Sequence, residues 1–396
     1  MNVLTTGMGW IDFQPGGLNR YFADYNHAMK QLGHSELGLV VGPQGQALPT
    51  GSLNITNVSQ RGGARDLLSR MKSIQKHSRQ AVHEFRPDIY NPHFALYAAL
   101  VSRNLIPSHV PIVTHFHGPW AMESKVEEAK SLGPVRETRY FLKKQVEMLT
   151  YRRSDSFIVL SEYFRDILID TYGIDRRRIN IIPGAVDHIR FKPHEDREGL
   201  RRRLSLDPGH TVLFCARRLV RRMGIDRLIE AMREVVKHES GVRLFIAGDG
   251  PMREEFAGSV ERYGLSSYVK LLGRVSNEEL VEWYQAADYS IVPTITLEGF
   301  GLVTVESLSC GTPVLGTPYG GTNEILSKLS GDLLFKDSSA EAIAAKLVSV
   351  LKHEGRIPSR ETCREHVMQH YTWRRVAESV TAVFREEVGK RKVNAK

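Results

Sequence analysis

In the stretch "LEGFGLVTVESLSCGTPVLGT", Leu297 to Thr317, the only charged residues are Glu298 and Glu306, set in an otherwise apolar and glycine-rich segment. A solvated helix would surround such carboxylates with other charges, so this pair is placed for chemistry. "DYSIVPT" before it reads as a buried strand, "ITLEGFG" as a loop, and "LVTVESLSC" as a helix stopped by Gly311 and Pro313. Glycines at 299 and 301 let a ligand approach the backbone closely. The first N–H groups of the helix, assisted by its dipole, then suit a phosphate or diphosphate. At ~1.5 Å rise per residue the two carboxylates lie about 10 Å apart along the chain. Carboxylates accept strong hydrogen bonds from sugar hydroxyls. The spacing therefore fits a nucleotide–diphosphate–sugar, with the ribose at Glu306 and the transferred sugar at Glu298; the alternative is that Glu306 caps or pairs structurally inside a packed helix.

Such a site needs strand ends and helix starts to hold it. Apolar runs alternate with amphipathic helical patterns over most of the 396 residues, which predicts βαβ units and parallel sheets. "ELGLVVG", "PDIYNPH", "VPIVTHF" and "SDSFIVLS" read as strands of a first half, and "LNRYFADYNHAMKQLG" as its first helix, closed by Gly33. A second series starts at "TVLFCARR" and runs through "GIDRLIEAMREVVKH", "VRLFIAG", "YVKLLG" and "DYSIVPT". The charged stretch between them, near 186–210, reads as a linker. The expected domains are 1–185, 186–371, and a C-terminal amphipathic helix, 372–396, that packs back on the first. Ligands of doubly wound sheets bind beyond the carboxyl ends of the strands, so the crevice between two such halves is the expected site.

Composition narrows the class. Hydrophobic residues make up 41% and charged residues 25%, ordinary globular values. Three scattered cysteines lack metal-type spacing and point to a reducing compartment. No run reaches membrane-spanning length, and the opening "MNVLTTGMGW" reads as a core strand and not as a secretory leader. A cytoplasmic protein is expected. Net charge is +9, and the larger share of the excess falls in residues 1–190. The clusters "FLKKQ", "YRRS", "DRRRIN" and "EGLRRRL" lack interleaved aromatics, so nothing points to nucleic acid. They read first as solvated helix faces. A peripheral contact with the anionic inner face of the cell membrane is the alternative.

The ordered series of motifs resembles the retaining glycosyltransferases of family 4. It comprises "PGGLNRYFADYNHAMKQLGH", "VTHFHGP", "IIPGAVD", "RRLVRRMGID", "FIAGDGPMREEF", "LLGRVSNEELVEWYQAAD", "EGFGLVTVE" and "GTPVLGTPYGG". The resemblance covers most of the chain and implies the GT-B fold, two facing Rossmann-like α/β domains with an interdomain cleft. It implies transfer of a sugar from a nucleotide-diphosphate donor to an acceptor hydroxyl with retention. The setting would be polysaccharide, glycolipid or small-molecule glycoside biosynthesis. The acceptor would be a glycan, a lipid-linked molecule or a small molecule. No cofactor and no metal are expected; the leaving diphosphate itself would take the acceptor's proton on the front side.

The same resemblance assigns residues. Gly16 and Gly17 would meet the distal phosphate through their amides, and His117 would sit beside the sugar and acceptor. Arg218 would pair with the diphosphate, while Phe300, Gly301 and Leu302 would offer N–H groups to the phosphates. Val275 would meet the nucleobase. His115 is read as structural, on the other face of the strand from His117. Two positions depart from the pattern: Arg217 replaces a glycine, and Met223 replaces a phosphate-binding lysine, for which Arg222 is the favoured substitute and Arg221 the second candidate. The loss of the usual Asn from "IPGAVD" is read as structural tuning, and "GDGP" as a tight turn at a strand end, since it lacks a third glycine and an acidic follower. Competing readings are a nucleotide-sugar epimerase or phosphorylase on the same scaffold, and a catalytically silent binding or scaffold subunit.

Overall fold

The computed structural model describes residues 1–14, 16–42, 52–56, 64–128 and 132–394. The chain divides into two units, Met1–Gly184 with Trp373–Lys396, and Ala185–Thr372.

In the first unit, strands β1 (Asn2–Thr6), β2 (Ser35–Gly42), β3 (Ser52–Thr56) and β4 (Ile89–Pro92) form a parallel sheet in the order β3-β2-β1-β4. Strands β5 (Val113–Phe116), β6 (Ser156–Val159) and β7 (Ile179–Ile181) follow in the order β5-β6-β7. A parallel bridge from Tyr90 to Ile112 joins β4 to the start of β5. The chain thus runs outward from β1 in one direction, then returns to run outward in the other. That reversal between β1 and β4 is the place where open parallel sheets bind their ligands, at the carboxyl ends of the strands. The helix Gly17–Gln31 starts there. Its buried Phe22, Tyr25 and Met29 recur at i, i+3 and i+7, the stripe that a helix lays on a sheet.

The final helix, Trp373–Asn394, belongs to this unit. His34 Nε2 meets Thr381 Oγ1 at 2.8 Å, Arg391 bonds Asp155, and the Trp373 ring lies edge-on to Tyr21 at 5.0 Å between centroids.

The second unit repeats the design with β8 (Thr211–Ala216), β9 (Val242–Ala247), β10 (Val269–Gly273), β11 (Tyr289–Val292) and β12 (Val314–Gly316), all parallel, in the order β10-β9-β8-β11-β12. Val212, Leu213, Phe214 and Cys215 are buried in succession, as expected for a strand covered on both faces. The helix Ile225–His238 buries Ile225, Leu228, Ile229, Met232 and Val235. The reversal here falls between β8 and β11.

The charged stretch read as a linker is part of the second unit. It holds a helix, Arg197–Arg203, whose Arg197 and Arg201 clasp the two oxygens of Asp288 at 2.5 and 3.0 Å. Asp288 also accepts from the Val212 N–H at 2.8 Å, so the arginines tie this helix to the start of β8 and β11. Composition suggested a spacer because partners more than 80 residues away are invisible to local patterning.

Candidate functional site

At the reversal point of the second unit, Arg217 directly follows β8 and β11 runs into the loop 293–301. Arg217 and Glu298 meet there. Arg217 Nη2 donates to Glu298 Oε2 at 2.6 Å and Nη1 to Oε1 at 3.3 Å, with both side chains under a tenth exposed. Thr294 Oγ1 donates to the same Oε2 at 2.8 Å. The Glu298 predicted to take a sugar hydroxyl is therefore already engaged, and any sugar would share its oxygens with Arg217. This partnership was missed: Arg217 entered the sequence reading only as a departure.

The loop is held by its own neighbours. Arg222 is buried and donates from Nη1 to the Leu297 carbonyl at 3.2 Å, while Ile295 N–H returns a bond to the Arg222 carbonyl at 2.9 Å. Leu297 sits at φ +58°, a left-handed conformation that costs a non-glycine residue about 1–3 kcal/mol and persists only where its surroundings impose it. The "TPYGG" segment closes beneath. Gly320 has φ +61°, and a Cβ there would lie 2.3 Å from the Glu298 carbonyl oxygen, so only glycine fits. Gly321 N–H donates to that same carbonyl at 2.9 Å.

Gly301 caps the helix Leu302–Ser309 in the left-handed conformation, and the first N–H groups of such a helix have no partner within it. Phe300 is buried against Tyr371, which leaves its backbone, with those of Gly301 and Leu302, at the helix mouth. One and a half turns on, Glu306 is 2% exposed and accepts from Tyr284 Oη at 3.3 Å. Tyr284 was not anticipated, because it lies 22 residues earlier on a different helix, Asn277–Ala286.

The "GDGP" turn after β9 fixes the segment that carries Arg217 and Arg218. A Cβ on Gly248 would lie 1.8 Å from the Arg217 carbonyl, and Leu219 N–H donates to the Asp249 carbonyl at 3.0 Å. Arg218 is exposed at this strand end; Arg221 turns outward to Glu255 at 3.1 Å. Val275, half-buried, follows β10 beside the same turn, whose Gly248 donates to the Gly273 carbonyl. Met223, the missing lysine, is buried with its sulfur 3.9 Å from Thr294 Oγ1.

At the reversal point of the first unit the polar groups are neutral. His93 directly follows β4 and His117 directly follows β5. Asn91 Oδ1 accepts from Tyr25 Oη and from His93 Nε2, both at 2.9 Å, and Asn91 Nδ2 donates to the Val113 carbonyl and to His115 Nδ1. Because a carbonyl oxygen only accepts, His93 carries its proton on Nε2, and its Nδ1 accepts from His117 Nε2 at 3.0 Å. His117 then presents Nδ1 as a hydrogen-bond acceptor. Burial takes His117 down to about 3, and burial with the neighbouring imidazoles pushes His93 and His115 well below the ordinary histidine value. All three rings are therefore neutral near pH 7.

His115 does not face away from His117. The two rings lie 5.8 Å apart and nearly parallel, with His93 stacked 4.2 Å from His115. Residues two apart share a face of a strand, so the expectation of opposite faces was wrong on the pleat itself. Gly16 caps the helix Gly17–Gln31, and a Cβ there would touch nothing. Packing within the protein thus does not demand glycine at 16. Among the described residues no group of three or more His, Cys, Asp or Glu side chains is arranged to hold a metal ion.

Two doubly wound parallel units, each with a polar cluster at its strand reversal, define the GT-B class. Two family models cover most of the chain: "Glycosyltransferase Family 4" over residues 15–190 and "Glycosyl transferases group 1" over residues 196–370. The protein belongs to glycosyltransferase family 4. It is 28% identical over 236 residues to the D-inositol 3-phosphate glycosyltransferase of Segniliparus rotundus, an alignment covering 59% of this chain and 52% of that one. Across that and two further curated relatives the chain spans 52% to 63% of their lengths. Among solved structures, sucrose-phosphate synthase from Thermosynechococcus elongatus matches with a TM-score of 0.78 at 20% identity, covering 98% of this chain and 99% of that one. HepE of Anabaena, solved with UDP-glucose, matches with a TM-score of 0.75 at 17% identity, covering 97% and 99%.

Proposed function

We propose that the protein is a retaining glycosyltransferase that moves a sugar from a nucleotide-diphosphate donor to an acceptor hydroxyl. The observation that carries this is the second unit's strand reversal, where a glycine-capped helix mouth, cations and two buried carboxylates lie within one glycine-packed loop system. The diphosphate would lie on the N–H groups of Phe300, Gly301 and Leu302 and beside Arg218. Glu306 would hold the ribose, Glu298 the sugar, and the backbone at Val275 the base. That a relative of the same fold was solved with UDP-glucose supports a nucleotide-sugar donor.

The first unit would take the acceptor. His117, neutral and with Nδ1 as acceptor, suits a hydroxyl of the sugar or acceptor. Gly16 and Gly17 would give the distal phosphate close access to backbone amides. Departure of the diphosphate needs charge stabilisation, which helix N–H groups and arginines supply without a divalent ion. The departing phosphate oxygen would then take the acceptor's proton on the same face.

The acceptor reading extends to a lipid surface. The helix Gly133–Tyr151 exposes Val135, Leu142 and Leu149 in a stripe, with Leu132 and Phe141 beside it, among Arg136, Arg139, Lys143 and Lys144. An apolar stripe flanked by cations suits the interface of an anionic bilayer. Binding to vesicles containing phosphatidylglycerol should weaken with salt and with Phe141→Ser/Leu142→Ser; salt-independent binding, equal on neutral vesicles, contradicts it. No helix among the described residues is long and apolar enough to cross a membrane.

A thermal-shift panel of UDP-, GDP- and ADP-sugars tests the main reading, since a donor at a hundred times its Kd adds about 2.7 kcal/mol to stability. The stabilising donor should then turn over only when acceptor is added, and Glu298→Ala should abolish transfer. Donor-only turnover would indicate an epimerase. Phosphate-dependent release of sugar phosphate would indicate a phosphorylase, and no stabilisation by any donor a scaffold.

A further inference from the structure

We infer that Arg217 supplies the second cation for the donor's diphosphate, in place of the absent lysine at Met223; this rests on the donor reading above. Three observations converge on it. The first is position. Thr294 Oγ1 lies 3.9 Å from the Met223 sulfur and 2.8 Å from Glu298 Oε2, and that oxygen lies 2.6 Å from Arg217 Nη2. Arg217 therefore holds the Glu298 carboxylate directly, and position 223, six residues on, reaches the Thr294 hydroxyl that bonds the same carboxylate. A thioether leaves that carboxylate without a cation from its side, and the guanidinium provides one from the other.

The second is an unsatisfied donor. Arg217 is 9% exposed, its Nη groups hold Glu298, and its buried Nε–H has no hydrogen-bond partner among the described residues. Leaving a buried donor unmade costs the full desolvation of that group, and more when the group is charged. A residue kept solely to neutralise Glu298 gains nothing from that cost. An acceptor arriving with a ligand repays it, and phosphate oxygens suit a guanidinium best.

The third is the fate of the alternatives. Arg221 is turned outward to Glu255, and Arg222 is buried with Nη1 on the Leu297 carbonyl, where it holds the loop. Arg217 instead sits at the end of β8, on the strand reversal, with its backbone fixed by the Gly248 turn. Glu298 orients the guanidinium by two bonds and leaves Nε directed away from itself. As the bond between sugar and phosphate breaks, negative charge grows on the distal phosphate, where Arg217 would act together with Arg218.

The test is calorimetric titration of UDP, GDP and ADP, and of the matching monophosphates, into the intact protein and three variants: Arg217→Gly, Met223→Lys, and both together. For the diphosphate that binds, Arg217→Gly should weaken affinity about 10- to 100-fold, the range of a lost charged hydrogen bond, while the monophosphate changes much less. The double variant should recover most of the loss, with kcat recovering alongside. The double variant also restores a cation beside Glu298 should Arg217→Gly fold poorly. If wild-type protein binds none of the three, the donor reading falls and this inference with it. If wild type binds and the Arg217→Gly variant, or the double variant relative to Arg217→Gly, shows unchanged affinity, the inference alone is overturned.

Discussion

The two strand reversals of this chain handle buried polarity in opposite ways. In the first unit Tyr25, Asn91, His93, His115 and His117 form a chain of neutral donors and acceptors. In the second, Arg217, Thr294 and Glu298 form a charged one. Neutral groups lose little by burial when hydrogen-bonded, whereas an ion pair keeps its balance only while both partners remain. The neutral cluster is therefore held fixed by its own hydrogen bonds. The charged cluster is poised, because a ligand anion changes its charge balance.

The largest effect should come from breaking the charged cluster on one side. Glu298→Ala leaves a buried guanidinium uncompensated, which costs about 3–5 kcal/mol. Urea denaturation should show this as a lower midpoint with an unchanged slope, and Glu298→Gln should cost less. A loss below about 1 kcal/mol would mean that the pair is solvated, and the contrast between the two units would go.

Gly320→Ala comes next. Its Cβ would strike the Glu298 carbonyl in a left-handed backbone, so the loop must move at a cost of about 1–3 kcal/mol. Nucleotide affinity should fall with stability, whereas Gly16→Ala, whose Cβ meets nothing, should leave stability unchanged.

The neutral cluster is sharpened by pH. The folded pKa of His117, about 3, lies below its ordinary value of 6.5, so the unfolded chain binds more protons between those limits. The stability contributed is full above about pH 6.5 and is lost progressively as pH falls towards 3. His93 and His115 act in the same direction. Denaturation midpoints measured from pH 7 to pH 4 should decline steeply, and His93→Phe should flatten the decline. A flat profile in the wild type would show that the imidazoles are open to water.

What could be read from the residues was periodic or local. Apolar runs located the strands, the pair Glu298 and Glu306 marked the helix mouth, and "TPYGG" fell where its glycines are sterically required. What could not be read was convergence across the sheet. Arg217 and Glu298 are 81 residues apart and meet because β8 and β11 are neighbours, a topological fact without local spacing. His93 carried a usable signal, since it ends "IYNPH" just as His117 ends "VTHFH", and adjacent parallel strands bring such ends together. The face of His115 was misread although the two-residue repeat sufficed to settle it.

The proposed function requires a nucleotide diphosphate at the start of the helix Leu302–Ser309. A crystal soaked with the diphosphate selected by calorimetry tests it most directly. Phosphate density is expected against the N–H groups of residues 300–302, with Arg217 Nε and Arg218 turned towards it and ribose at Glu306. Nucleotide bound elsewhere on the protein, or none at saturating concentration, would contradict it.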